Sequence, residues 1–241
     1  MQTVMVRTDD AHCSDCSLSS LCLPIGITGH DLAKLDALVN QRVRLEKGAA
    51  LFFSGDSAHS LYAVRSDSIK TQLEDAGGRL QITGFFLPGE MLGMDGLLSS
   101  TQASHAIALE DSEVCVIGID DMNRLATHVP ALQQQIQRLM SQEIRRSHQL
   151  VMAVGVLRSD QRLASFLMNL SQRLMSLGYS STRFVLRMSR EDIGNYLGLT
   201  IETVSRLFSK FARINLIRVS QRDIELLDLP ALSELAGTRC P

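Results

Sequence analysis

No stretch of this chain approaches the ~20 consecutive apolar residues that a membrane-spanning helix needs, although hydrophobic residues fill 45% of its 241 positions. The opening segment, Met1 to His12, is polar, carries Asp9 and Asp10, and has no basic stretch leading into an apolar one, so no secretory signal is expected. The expected location is the cytoplasm, with no membrane partner. Disulfides seldom persist there, and the five cysteines need another explanation. A nucleophile elbow, a P-loop, a dinucleotide-binding fingerprint and an HExxH pair are all missing, so nothing points to an enzyme. Net charge is also scarce, at −2, and by itself it indicates no partner.

The distribution of charge is more informative. Leu157 to Arg222 holds eleven Arg or Lys against four Asp or Glu, which leaves thirteen basic and twenty-two acidic residues elsewhere. One region is therefore suited to a polyanion and the other is not. The length fits two modest domains, each able to build a core without disulfides.

Short apolar segments broken by turns occupy the chain from Arg42 to about Ile119. Leu51–Phe53, Leu61–Val64, Gln81–Phe86 and Glu113–Ile117 are expected strands, with turns at Asp75–Gly78 and Pro88–Glu90. This spacing predicts a small antiparallel barrel or roll. From Pro130 to about Val154 there is no glycine and no internal proline, and Gly155 is expected to end a long helix. Ile136, Met140, Ile144, Ser147, Val151 and Val154 recur at helical spacing on one face. Such a stripe either packs on the roll or pairs with a copy of itself; its place between two domains favours a dimer interface. Helical patterns follow at Asp160–Leu177, Arg190–Leu197 and Ile201 to about Ile214, then strands at Leu216–Val219 and Ile224–Leu227. Helices closed by a small hairpin describe a winged helix-turn-helix. The expected class is thus α+β. The boundaries are a segment at 1–30, a β-roll at 31–128, a dimerisation helix at 129–154 and a DNA-binding domain at 155–241.

Ser189 to Arg206 carries the strongest local signal. Ser189 and Thr200 suit the N-caps of two successive helices. Gly194 allows the second helix to cross close over the first, and Gly198 suits the turn between them. With Val204, Leu207 and Phe208 facing inward, Glu202, Ser205 and Arg206 are left on the outer face of the second helix, beside Thr203. Arg206 can donate two bonds to guanine, and Glu202 can accept from cytosine N4. The segment Glu202-Thr203-Val204-Ser205-Arg206 resembles the recognition helix of the CRP/FNR regulators, and the resemblance extends over nearly the whole chain. In the FNR branch a Glu, a Ser and an Arg at these spacings read a TTGAT half-site. The CRP branch has Arg where this chain has Ile201 and Gly where it has Ser205. The resemblance therefore implies a homodimer on double-stranded DNA of the type TTGAT-N4-ATCAA, working with RNA polymerase.

Cys13, Cys16 and Cys22 form a C-x2-C-x5-C run, and Cys115 lies far off in the last expected strand of the roll. Four thiolates can hold a tetrahedral zinc or an iron–sulfur cluster, and thiol–disulfide switching is a third possibility. The resemblance to the FNR branch implies a 4Fe–4S cluster on Cys13, Cys16, Cys22 and Cys115. In that branch oxygen converts the cluster to a 2Fe–2S form and the dimer comes apart. Leu21 matches an apolar neighbour that shields the cluster there, and Asp15 and Ser17 sit between the ligands. Cys240 and the histidines, His12 included, are read as incidental.

A cyclic-nucleotide receptor is the competing sensor class, since it shares the roll. Gly89-Glu90 is present, but Gln102-Ala103 stands where an Arg–Ser/Thr pair would hold the phosphate, and no Lys or Arg occurs between Arg79 and Arg124. No cyclic nucleotide is expected. The chain departs from the FNR pattern at Ser147, where the family commonly has an acidic residue that keeps the cluster-free form monomeric. Here Arg145 and Arg146 precede it.

Overall fold

The computed structural model describes residues 6–8, 16, 18, 22, 29–39 and 41–237. Two compact units divide the chain, Met1–Arg145 and Arg146–Pro241.

In the first unit the strands are β1 (Val6–Thr8), β2 (Gln41–Leu45), β3 (Ala50–Phe52), β4 (Ser60–Ser66), β5 (Ile69–Glu74), β6 (Leu80–Phe86), β7 (Met91–Leu92), β8 (His105–Ala108) and β9 (Ser112–Gly118). They form two antiparallel sheets, ordered β1-β2-β9-β4-β7 and β3-β8-β5-β6. Between them lies a core that includes Leu45, Val64, Ile69, Phe86, Leu92 and Val114. The expected turns are present. Asp75 accepts the Gly77 and Arg79 amides at 2.9 Å each, and Gly89 takes φ 85°, a conformation that glycine adopts without cost. The sequence patterns name only β3, β4, β6 and β9, and leave β1, β2, β5, β7 and β8 unnamed. Ile69–Glu74 contains two charged residues, and His105–Ala108 is short, so neither shows a long β-branched run.

A second apolar cluster lies where α1 (Gly29–Leu38), α2 (Ile119–Ala126) and the start of α3 (Pro130–Val156) meet, with Leu35, Leu61, Ile119, Met122, Val129 and Leu132 buried. Helix α3 is 27 residues long and has Pro130 at its first position. Contrary to expectation, Gly155 does not end it: the helix runs on to Val156, and the Leu157 amide still bonds the Ala153 carbonyl at 3.2 Å. An exposed glycine lowers helix stability by only ~1 kcal/mol, which its neighbours can outweigh.

The second unit contains α4 (Ser159–Ser176), β10 (Arg183–Val185), α5 (Arg190–Leu197), α6 (Ile201–Arg213), β11 (Ile217–Ser220), β12 (Asp223–Leu226) and α7 (Leu229–Leu235). The wing is a three-stranded antiparallel sheet, β10-β12-β11, rather than the expected hairpin. Strand β10 has only three residues and offered little periodicity to read. Leu163, Leu167, Ile193, Val204, Phe211, Ile217, Ile224 and Leu232 are at most 1% exposed and form the interior of this unit. Each such side chain contributes ~1.5–3 kcal/mol by leaving water. Among the described residues, no helix is long and apolar enough to cross a membrane.

Candidate nucleic-acid interface and thiol-lined cavity

The reading element is built from the caps outward. The Ser189 hydroxyl accepts the Asp192 amide at 3.0 Å, and the Asp192 carboxylate accepts the Ser189 amide at 2.9 Å, which closes a capping box on α5. At its other end Gly198 takes φ 63°. A Cβ on Gly194 would stand 2.7 Å from the Leu199 carbonyl oxygen, so only glycine permits this close turn. The Thr200 hydroxyl then accepts the Thr203 amide at 3.3 Å and starts α6. Val204, Leu207, Phe208 and Phe211 are buried. Glu202, Ser205 and Arg206 are consequently exposed on the opposite side, with Thr203 half-buried beside them.

Arg206 donates to the Thr203 hydroxyl at 3.2 Å. The Glu202 carboxyl is held below the ordinary glutamate value by its own backbone amide, the Thr200 hydroxyl and the charge of Arg206. It is therefore a carboxylate, and an acceptor, at neutral pH. An open groove lined by Thr203, Ser205, Arg206, Ser209, Lys210 and Arg213 continues along the helix. Lys210 pairs with Asp160 at 3.2 Å. Lys210 and Arg213 were absent from the sequence-based site, although their places four and seven residues after Arg206 put them along one helical stripe. The Arg190 guanidinium lies 3.4 Å from the centre of the Phe208 ring, and burial pushes its pKa down to about 10. The arrangement sets two anchored polar side chains, Glu202 and Arg206, beside several cations on one exposed helix face, which suits a polyanion.

The thiols are in the first unit. Cys16, Cys22 and Cys115 line one cavity of about 80 Å³, together with Leu35, Leu61, Met91, Leu132 and Ile136. Cys13, like His12, Asp15, Ser17, Leu21 and Cys240, lies outside the described residues. Among the described residues, no three His, Cys, Asp or Glu side chains converge closely enough to hold a metal ion. Strand β9 carries Cys115 opposite Arg42 of β2. Burial pushes the Cys115 thiol up, while Arg42 and Arg65 pull it down. Cys22 donates its Sγ–H to the Gly89 carbonyl at 3.7 Å, and the Cys22 carbonyl accepts from Gln135 of α3 at 3.5 Å.

The donor type, though not the gathering of the described thiols, suits a cysteine-held cluster. The ligand atoms are soft sulfurs in an apolar pocket, and the Arg42 Nε is buried without a hydrogen-bond partner among the described residues. A thiolate cluster bears negative charge, which Arg42 and Arg65 would offset. Sequence reasoning missed Arg42, which acts on the Cys115 thiol, and Gln135, which bonds the Cys22 backbone carbonyl, both from distant segments.

The stripe of α3 divides in two. Ile136 is half-buried and lines the thiol cavity. Met140, Ile144, Val151 and Val154 are 41%, 54%, 70% and 37% exposed, and Ser147 is exposed among them. In the roll, Gln102 is only 2% exposed and packs against Gly93 and Gly96.

Known proteins share both units. Residues 42–128 match the model of the cyclic nucleotide-binding domain, and residues 161–235 match that of the Crp-like helix-turn-helix domain. The structure of FixK2 from Bradyrhizobium japonicum superimposes with a TM-score of 0.75 at 26% identity, covering 83% of this chain and 98% of that one. These matches define a DNA-binding regulator with a helix-turn-helix. The chain is 58% identical to the transcriptional regulatory protein btr of Bordetella pertussis, over 97% of each chain. It is 43% identical to the transcriptional activator protein anr of Pseudomonas aeruginosa, over 98% of this chain and 97% of that one. The chain belongs to the CRP/FNR family of transcription regulators, and it is not an enzyme.

Proposed function

We propose that the protein is an oxygen-responsive regulator that binds DNA as a homodimer when oxygen is low. The observation that carries this reading is the shared cavity: Cys16, Cys22 and Cys115 line the same space as Leu132, Gln135, Ile136 and Leu139 of α3. Whatever binds the thiols therefore acts directly on the helix that bears the exposed apolar stripe.

In this reading Cys13, Cys16, Cys22 and Cys115 hold a 4Fe–4S cluster. When bound, such a cluster supplies an oxygen-labile crosslink between the N-terminal segment and β9. Arg42 and Arg65 balance charge at Cys115, and Gln135 ties the Cys22 backbone to α3. The exposed part of the stripe, Met140, Ile144, Ser147 and Val151, is the dimer seam, and Ile136 joins it to the thiol cavity. Two copies of α6 then enter successive major grooves of a TTGAT-N4-ATCAA site. Arg206 donates to guanine, Glu202 accepts from cytosine, and Ser205 and Thr203 complete the contact. The working division keeps 1–30 for the cluster, 31–128 for the roll, 129–154 for dimerisation and 155–241 for DNA. RNA polymerase is the partner at the promoter, the site of action is the cytoplasm, and no cyclic nucleotide takes part. Buried Gln102 supports the last point, because a neutral amide does not neutralise a phosphate.

Anaerobic purification followed by iron, sulfide and zinc analysis tests the reading. About four irons per chain, with a visible charge-transfer band that air bleaches, are expected. Zinc without iron would overturn it.

A further inference from the structure

Inside the second unit, one side chain joins the end of α3 to the turn of the helix-turn-helix. Arg162, in the first turns of α4, donates from Nε to the Leu157 carbonyl at 2.9 Å and from Nη1 to the Leu197 carbonyl at 2.9 Å. Leu157 directly follows the last residue of α3, and Leu197 is the last residue of α5. Both acceptors are thus helix-terminal carbonyls, which lack partners within their own helices and favour a cation. The contact is also tight in its packing. A Cβ built on Gly198 would stand 3.4 Å from Arg162 Nη1 and 3.4 Å from the Val154 side chain of α3. A small crevice beside it is lined by Leu150 and Ala153 of α3 and by Phe166, Tyr196 and Leu197.

We propose that Arg162 is the positioning residue that fixes the recognition helix to the end of the dimer helix, and so sets which half-site spacing the protein accepts. The guanidinium is a planar fork with a fixed angle between its donors, so it can hold two carbonyls at once. Displacing α3 relative to the Leu197–Gly198 turn breaks one of the two bonds. The turn leads through Thr200 straight into α6, and its position is the position of Glu202 and Arg206. A lysine cannot substitute, because one ammonium on a flexible stem does not impose the same geometry. Arg162 touches no DNA in this scheme; it acts through the turn.

The inference rests on the dimer reading above, and the experiment separates the two. Full-length wild type, Arg162→Lys and Arg162→Gln, all purified anaerobically, are titrated with three duplexes: a paired TTGAT-N4-ATCAA site, the same half-sites six base pairs apart, and a single TTGAT. Arg162→Gln is expected to keep single-site affinity within about twofold, to weaken on the paired site by about tenfold, and to lose most of its preference for the four-base spacer. Arg162→Lys is expected to behave like Arg162→Gln on spacing while unfolding at the wild-type temperature. Equal weakening on single and paired sites would overturn the proposal, since that is the signature of a damaged domain. Unchanged spacing preference would overturn it too.

If the wild type itself binds the paired site no better than the single one, the dimer reading fails. Hydrogen exchange without DNA then decides on Arg162 independently. The Leu157 and Leu199 amides, bonded to Ala153 and Gly194, should exchange faster together in Arg162→Gln. No change at either would remove the basis of the proposal.

Discussion

The DNA-reading element comes from one continuous stretch, Ser189 to Arg206, in which each cap bonds an amide three residues away. The thiol cavity draws on Cys16 and Cys22, Met91, Cys115 and Ile136, from four separate parts of the chain. The first is set by local backbone chemistry and needs little beyond its own helices to take shape. The second exists only once the roll, α1 and α3 have packed, and it lies beside the helix proposed to form the dimer. A site made from distant segments is suited to sensing, because occupying it changes how those segments are held together. A site made from adjacent residues is suited to reading, because it keeps its shape whatever the sensor does.

Cys115→Ser should break the contrast most severely. We expect iron to fall from about four per chain to almost none, and paired-site binding to be lost with it, while the second unit keeps its fold. Calorimetry that shows the second unit melting earlier in this variant would mean that the two sites are not independent.

The bare stretch of α3 is the next lever. Ser147 is exposed between Ile144, at 54%, and Val151, at 70%. Leucine at 147 would add an apolar side chain from each of two chains, and each buries ~1.5–3 kcal/mol on a dimer seam. Like charge from Arg145 and its mate would oppose association in the proposed dimer, and salt would screen it. Ser147→Leu should therefore dimerise and bind DNA in air, as sedimentation and binding assays would show. A variant that dimerises in air yet ignores DNA would mean that the thiol site orients the reading domains rather than controlling association.

At the reading helix the expected effect is smaller and confined to one base. Arg206→Ala should cost ~1–3 kcal/mol at the guanine of each half-site and relax specificity there. Lys210→Ala should weaken every sequence alike and reduce the salt dependence of binding. Selection from a random site library distinguishes the two. Recovery of TGTGA half-sites by the wild type would contradict the assignment of Glu202, Ser205 and Arg206.

The same contrast explains what the sequence disclosed. Ser189, Gly194, Gly198 and Thr200 announce their roles because capping, positive φ and close backbone approach depend on residue type within a few positions. The bounds of α5, Arg190–Leu197, could accordingly be read directly. Arg42 gave no such sign. It is one of two arginines in its strand, and only the register of β2 on β9 puts it opposite Cys115. Ile136 and Ile144 share one helical stripe, yet the first is packed against the thiol cavity and the second is bare, because the roll covers only the start of α3. Arg162 looked like any charged residue on an amphipathic helix until its two carbonyl acceptors, Leu157 and Leu197, were brought together.

Thr200→Val should give the smallest effect and the sharpest test of how local the reading element is. Valine keeps the shape of threonine and removes the hydroxyl. The Thr203 amide loses its acceptor, and the helix loses ~1 kcal/mol of capping. The second consequence is electrostatic. The Thr200 hydroxyl is one of the groups that hold the Glu202 carboxyl below its ordinary value, after Glu202's own backbone amide. Without it, the carboxyl should titrate closer to ordinary glutamate, as NMR of the side-chain carbon would record. The sign follows from the depressed value. A carboxyl lowered by folding contributes stability above its unfolded pKa, and that contribution is lost as pH falls through the folded one. In Thr200→Val the two values draw together, so the pH dependence of stability between them should flatten, while Cys115 and the first unit are unaffected. An unchanged Glu202 titration would show that its backbone amide and Arg206 suffice, and that the cap shapes the helix without tuning its acceptor.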